Sequence, residues 1–370
     1  MSKINERWVI KAGSSLIAGF NEGIDKGFVE SLVLQVNQLH KRGIQIILVT
    51  SGAVAKGMHE LALKERPTSL NLLQASAAIG QLGLIEAYKS EFEKFSMKTA
   101  QVLISHDDFV DRGRYLNARN SLITLIDLGV IPIINENDSV SIEEISFGDN
   151  DTLAGAVVGL TDADKFIMLT DEKGVFSQDP KINKEAKLLK QINLDDEVLD
   201  LSAITEGTAG MLGRGGMRTK IKAARLALDS GAKTWVVDGN NSKVLLEILD
   251  NKEVGTLFTG ERDKLQSRKT WIASLGSPKG KLVIDNGAAK ALMEEGSSLL
   301  PVGIVSTVGE FGKGALVACV NKDTEIARGF SNFSSSEISK LFGLKSSEIS
   351  KKLGYASLEE VIHRDNLVLS

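Results

Sequence analysis

Up to about residue 260, short runs of β-branched and other apolar residues alternate with longer stretches whose apolar positions recur every three or four residues. This alternation predicts an α/β fold: a three-layer, mainly parallel sheet with helices on both faces. Residues 8–11, 44–50, 99–104, 130–134, 165–170 and 234–237 are the strand candidates, mostly continuous apolar runs of the kind buried on both faces. Helical spacing occupies 28–42, 70–95, 119–128, 151–160 and 217–230. Several strands end in Gly, Ser, Asn or Asp, and in open α/β sheets ligands gather at the carboxyl ends of the strands. A site is expected there.

From 263 to 279 the pattern loosens into charged and small residues, which predicts a linker after a large unit at 1–262. Short strand patterns at 281–285, 303–308 and 315–320, separated by glycine turns, and a helix at 288–295 then predict a small β-rich unit over 280–370. The serine-rich stretch 331–350 keeps helical apolar spacing and is expected to form polar helices. Two units suit a chain of 370 residues, since one domain usually takes roughly 100–200.

Composition narrows the function classes. With 44 basic and 48 acidic residues the net charge is -4, so nothing draws the whole chain to nucleic acid or an anionic membrane, and a bound anion must be caught locally. No stretch approaches the roughly 18 apolar residues of a membrane span, and a cytoplasmic location is expected. Cys319 is the one cysteine, which excludes an intrachain disulfide, and its apolar surroundings predict a buried strand. His40, His59, His106 and His363 are scattered, and HExxH and CxxC are absent, so no protein-held metal is expected.

Five segments carry candidate chemistry. Lys11-Ala12-Gly13-Ser14-Ser15 places a cation and free backbone N–H groups after the first strand; taken alone it reads more readily as a glycine turn with a solvated lysine. In Thr50-Ser51-Gly52-Ala53-Val54 a strand runs into a presumed helix start, where an anion or a simple cap would sit. Asn135-Glu136-Asn137-Asp138 and Gly148-Asp149-Asn150-Asp151 supply carboxamides for a carboxylate and carboxylates for an ammonium group, a mixture suited to an amino acid; two Asx-type turns with a cap fit the same residues. The stretch from Thr170 and Asp171 to Pro180, and Gly213-Arg214-Gly215-Gly216-Met217-Arg218-Thr219-Lys220 leading into a helix, suit a nucleotide, because glycines admit phosphates close to the backbone. Neither is a GxxxxGK[ST] P-loop.

In this order the five segments resemble the amino-acid kinase family over the large unit, and Gly296-Ser297-Ser298-Leu299-Leu300-Pro301-Val302-Gly303-Ile304 resembles the PUA domain. The resemblance implies phosphorylation of the L-glutamate γ-carboxylate by ATP with Mg2+, giving L-glutamyl 5-phosphate, the first step of proline synthesis. It implies Lys11 and Lys220 on opposite sides of the transferring phosphoryl group with Asp151 orienting them; Ser51, Asp138 and Asn150, with Asn135 and Asp149, at glutamate; and Lys11, Thr170, Asp171 and the run Arg214, Gly215, Gly216, Met217, Arg218, Thr219 and Lys220 at ATP. Proline as a feedback inhibitor and a homodimer or homotetramer are implied as well. Arg214 stands where the family often has threonine, and Phe176 where related kinases often have tyrosine. The nearest alternatives are a sister kinase acting on N-acetylglutamate, aspartate, carbamate or a nucleoside monophosphate, and an RNA-binding regulator. RNA is not expected as a partner, since 281–370 lacks a dense Lys/Arg cluster with interleaved aromatics.

Overall fold

Period-two alternation decides the layering of the large unit. In β1 (Arg7–Ala12), Trp8, Ile10 and Ala12 enter one hydrophobic core while Val9 enters another. The computed structural model describes residues 6–19, 23–140, 149–178, 180, 182–195, 216–260, 269, 272, 277–354 and 360–370. The chain divides into two units, Met1–Glu261 and Arg262–Ser370.

In chain order the strands of the first unit continue as β2 (Ala18–Gly19), β3 (Gly23–Ile24), β4 (Gln45–Val49), β5 (Lys98–Ile104), β6 (Val130–Glu136), β7 (Lys165–Thr170), β8 (Gln191–Asn193), β9 (Lys233–Asp238) and β10 (Thr256–Thr259). Between them run α1 (Ser14–Ile17), α2 (Lys26–Lys41), α3 (Ala53–Glu60), α4 (Leu70–Glu93), α5 (Asp107–Val110), α6 (Arg112–Asp127), α7 (Asn150–Thr161), α8 (Met217–Asp229) and α9 (Val244–Leu249). The main sheet has the order β5-β6-β4-β1-β7-β9-β10-β8. All neighbours from β5 to β9 are parallel, and β10 then runs antiparallel to β9 and parallel to β8. The expected three-layer α/β architecture is therefore present, with an antiparallel step near one edge that short, mixed segments did not announce.

Each face of the sheet has its own core. Ile46, Leu48, Ile131, Ile133, Ile167 and Leu169 pack with α2 and with Leu84, Tyr88 and Phe92 of α4. On the other face, Ile47, Val49, Ile134, Phe166 and Met168 pack with Leu122 and Ile126 of α6, Leu153 and Val157 of α7, and Ala223 and Ala227 of α8. Burial on both faces explains why these strands read as unbroken apolar runs. Helix α6 begins earlier than its apolar spacing suggests, because the Asp111 side chain accepts from Arg114 N and caps it.

The second unit is a five-stranded sheet of order β12-β11-β13-β14-β15, from β11 (Gly280–Ile284), β12 (Ile304–Val308), β13 (Leu316–Asn321), β14 (Thr324–Phe330) and β15 (Leu367–Leu369). Helix α10 (Asn286–Glu294) starts at Asp285, whose side chain accepts from Ala288 N. Strands β14 and β15 were not expected, since polar residues interrupt the first and the second has only three residues. The stretch 331–350 does form short helical turns, but Ile338, Leu341 and Ile349 enter the core of this unit. Cys319 lies on β13, fully buried, and burial pushes its thiol up to about 12, far from a reactive thiolate.

Candidate active site

The carboxyl ends of β1, β4, β6 and β7 meet the N-termini of α3, α7 and α8 at one edge of the sheet. Residue parity distributes the chemistry. Lys11 shares the face of Val9 and so turns toward α7 and α8, whereas Thr50 and Asn135 continue the faces of Leu48 and Ile133, toward α4. Helix α7 begins at this edge and places one residue in each group: Asn150 among amides, Asp151 among lysines.

Asp151 is completely buried, and Lys11 is 6% exposed. Lys11 Nζ lies 2.6 Å from Asp151 Oδ1, and Lys220 Nζ lies 3.0 Å from Oδ2. Thr219 Oγ1 also donates to Oδ2 at 3.1 Å and to Gly216 O at 2.7 Å, which ties the first turn of α8 to the carboxylate. Burial pushes the Asp151 carboxyl up, but the two ammonium groups outweigh it and hold the acid well below the ordinary carboxylate range. Because the folded value is the lower one, ionised Asp151 stabilises the fold above the usual carboxylate pKa of about 4, and the contribution disappears as pH falls toward the depressed value. Within this cluster, two ammonium groups against one carboxylate leave one net positive charge.

The spacing of these charges is set by helix packing. A Cβ on Gly155 of α7 would lie 2.7 Å from Ala223 O of α8, so only glycine lets the two backbones approach this closely, about one turn beyond Asp151 and Lys220. At the neighbouring strand end, Gly52 adopts φ 102°, a left-handed conformation natural to glycine, and α3 starts from it.

The second group is a chain of amides. Asn150 Nδ2 donates to Thr50 O at 2.8 Å, to Ser51 Oγ at 2.9 Å and to Asn135 Oδ1 at 2.9 Å. Asn135 Nδ2 in turn donates to Gln81 Oε1 at 2.8 Å.

Lys11, Asp151, Thr219 and Lys220 thus gather in one cluster, and Ser51, Asn135 and Asn150 in the adjoining one. Asp138 follows β6 in the turn that Val140 N closes onto Asn137 O. Asp149 caps α7: its Oδ1 accepts from Thr152 N at 2.7 Å and Oδ2 from Thr152 Oγ1 at 3.1 Å, and burial pushes its carboxyl up. Thr170 ends β7 and donates to the exposed Asp171 at 3.1 Å. Gly216 stands at the start of α8, Met217 packs on the second core, and Arg218 is exposed. Arg214, Gly215 and Gly148 lie outside the described residues. Gln81 is the participant that motif reading missed. Its signal was a glutamine at core spacing, with Ala77, Leu84 and Tyr88, on an otherwise apolar helix face.

Residues 6–238 match the amino acid kinase family and residues 280–353 match the PUA domain. The chain belongs to the amino acid kinase family. At the level of individual proteins, it is 48% identical over 365 residues to the glutamate 5-kinase of Pseudomonas entomophila (strain L48), covering 98% of each chain. The glutamate 5-kinase of Pseudomonas savastanoi pv. phaseolicola is also 48% identical, over 98% of this chain and 99% of its own. Among solved structures, the UMP kinase from Bacillus anthracis is similar with a TM-score of 0.48 and 18% identity, over 69% of this chain and 96% of its own.

Proposed function

We propose that this protein is a glutamate 5-kinase, transferring the γ-phosphoryl group of ATP to the γ-carboxylate of L-glutamate to give L-glutamyl 5-phosphate, the first step of proline biosynthesis. The observation that carries the reading is the adjacency of Asn150 and Asp151, which puts an amide cluster suited to an amino acid beside a buried lysine cluster suited to phosphate. Similarity to curated glutamate 5-kinases over nearly the whole chain supports the same substrate.

A carboxylate is already a nucleophile, so the reaction needs no general base, and catalysis reduces to alignment and charge neutralisation. Lys11 and Lys220 meet the transferring group from two sides, while Asp151 holds both ammonium groups in place through its two oxygens. Ser51, Asp138 and Asn150, with Asn135 and Asp149, receive glutamate. Thr170, Asp171 and 214–220 receive ATP. Magnesium enters with the nucleotide on phosphate oxygens and water, neutralising phosphate charge; the engagement of both Asp151 oxygens with lysines fits a metal carried by the substrate.

Proline competes with glutamate at the amide cluster, and the protein is a cytoplasmic homodimer or homotetramer. The catalytic unit spans 1–262, a linker 263–279, and the PUA-like unit 280–370 serves assembly or regulation. No helix among the described residues is long and apolar enough to cross a membrane.

The amide assignment has its own test. Asn150→Ala is expected to raise KM for glutamate at least tenfold, about 1.4 kcal/mol, with KM for ATP within about twofold. An unchanged glutamate KM removes Asn150 from the site. In the same initial-rate assay, millimolar proline is expected to raise the apparent glutamate KM, and its failure to inhibit would count against competition there.

A further inference from the structure

Gln81 is only 8% exposed, on the face of α4 that also carries Ala77, Leu84 and Tyr88. A buried amide needs partners at both ends. Gln81 has one: its Oε1 accepts from Asn135 Nδ2, while its Nε2 is buried without a hydrogen-bond partner among the described residues.

The reason lies in two backbone groups. The Glu136 N–H requires an acceptor and finds Asn135 Oδ1 at 2.9 Å; the Thr50 carbonyl requires a donor and finds Asn150 Nδ2 at 2.8 Å. These fix which end of each asparagine is oxygen and which is nitrogen. Asn135 must then offer Nδ2 to Gln81, and Gln81 must answer with Oε1. At the other end of the relay, Asn150 Nδ2 is shared among three acceptors and Oδ1 keeps no partner among the described residues. The same helix braces the neighbouring strand end, where Thr50 Oγ1 donates to Tyr88 Oη at 3.2 Å.

We propose that Gln81 is a positioning residue for the amino-acid substrate: backbone groups set the polarity of the Gln81–Asn135–Asn150 relay, and Gln81, by accepting from Asn135 Nδ2, holds the Asn135 side chain against Asn150 so that Asn150 Oδ1 stays open to an α-ammonium group. The proposal rests on the reading that the amide cluster receives glutamate. A buried donor without an acceptor is destabilising, and here it is the residue of that polarity. Gln81 touches no reacting atom and acts through Asn135 and Asn150.

The test compares the parent with Gln81→Met, which removes the acceptor at similar volume, and Gln81→Glu, which keeps an oxygen opposite Asn135 whether ionised or protonated. Initial rates with Mg-ATP and glutamate, together with Tm, are measured for all three. Gln81→Met is expected to raise KM for glutamate about tenfold, with KM for ATP within about twofold, and Gln81→Glu to recover most of the loss. A glutamate KM within twofold of the parent in Gln81→Met, or a parallel rise of both KM values with a lowered Tm, overturns the proposal. Should Gln81→Met fail to fold, Gln81→Glu decides: a glutamate KM within about threefold of the parent supports the relay, and a tenfold rise overturns it. If the parent itself shows no glutamate-dependent turnover, the functional reading falls and the relay's role falls with it; an active parent with an indifferent Gln81→Met leaves the function standing and removes only the relay.

Discussion

Lys11→Ala and Lys220→Ala are each expected to lower kcat with glutamate and ATP at least a hundredfold, about 2.7 kcal/mol of transition-state stabilisation. Both ammonium groups lie within 3.0 Å of one buried carboxylate, so each is held without a search through rotamers when charge develops on the phosphoryl group. The loss should appear in kcat more than in KM for glutamate, because the amide cluster is built from other residues. Removing either lysine also leaves Asp151 with one cationic partner and raises its pKa toward the ordinary value. Steady-state kinetics on folded variants check this, and a kcat within tenfold of the parent for either variant contradicts the assigned role.

Gly155→Leu is expected to lower both stability and turnover although the residue touches no candidate ligand group. Its Cβ would stand 2.7 Å from Ala223 O and 3.1 Å from Ala223 Cα, both backbone atoms that cannot rotate aside. Leucine is a strong helix former, so propensity cannot account for a loss. Overpacking of this kind costs about 1–3 kcal/mol. Relief requires α8 to move from α7, which lengthens the Asp151–Lys220 contact. Thermal unfolding and kcat measured together check the link: a variant of parental Tm and parental kcat would show that this crossing does not set the charge spacing.

Much of this was legible because the informative segments are strand ends. Lys11, Thr50, Asn135 and Thr170 each follow an apolar run, and the general rule for open α/β sheets places such residues on one edge. The run from Gly216 to Lys220 opens a helix as its glycine-to-lysine pattern suggested. What the sequence did not disclose depends on non-local pairing. That Asp149 caps its own helix while its neighbour Asp151 bridges two lysines follows from the direction of α7 at the edge, which two acids two residues apart do not reveal. Gln81 was hidden because a single polar residue in a helix reads as surface until its face is known. Strands β10 and β14 escaped for a similar reason: four residues, or polar ones, give no period, and hydrogen bonding to neighbours makes them strands.

The most direct test of the central claim is ADP release by the purified protein with Mg-ATP and, in turn, glutamate, N-acetylglutamate, aspartate and carbamate, with hydroxylamine present to trap an acyl phosphate. Glutamate-dependent ADP accompanied by the γ-hydroxamate is the predicted result, whereas turnover confined to another acid, or none with any of them, would contradict it.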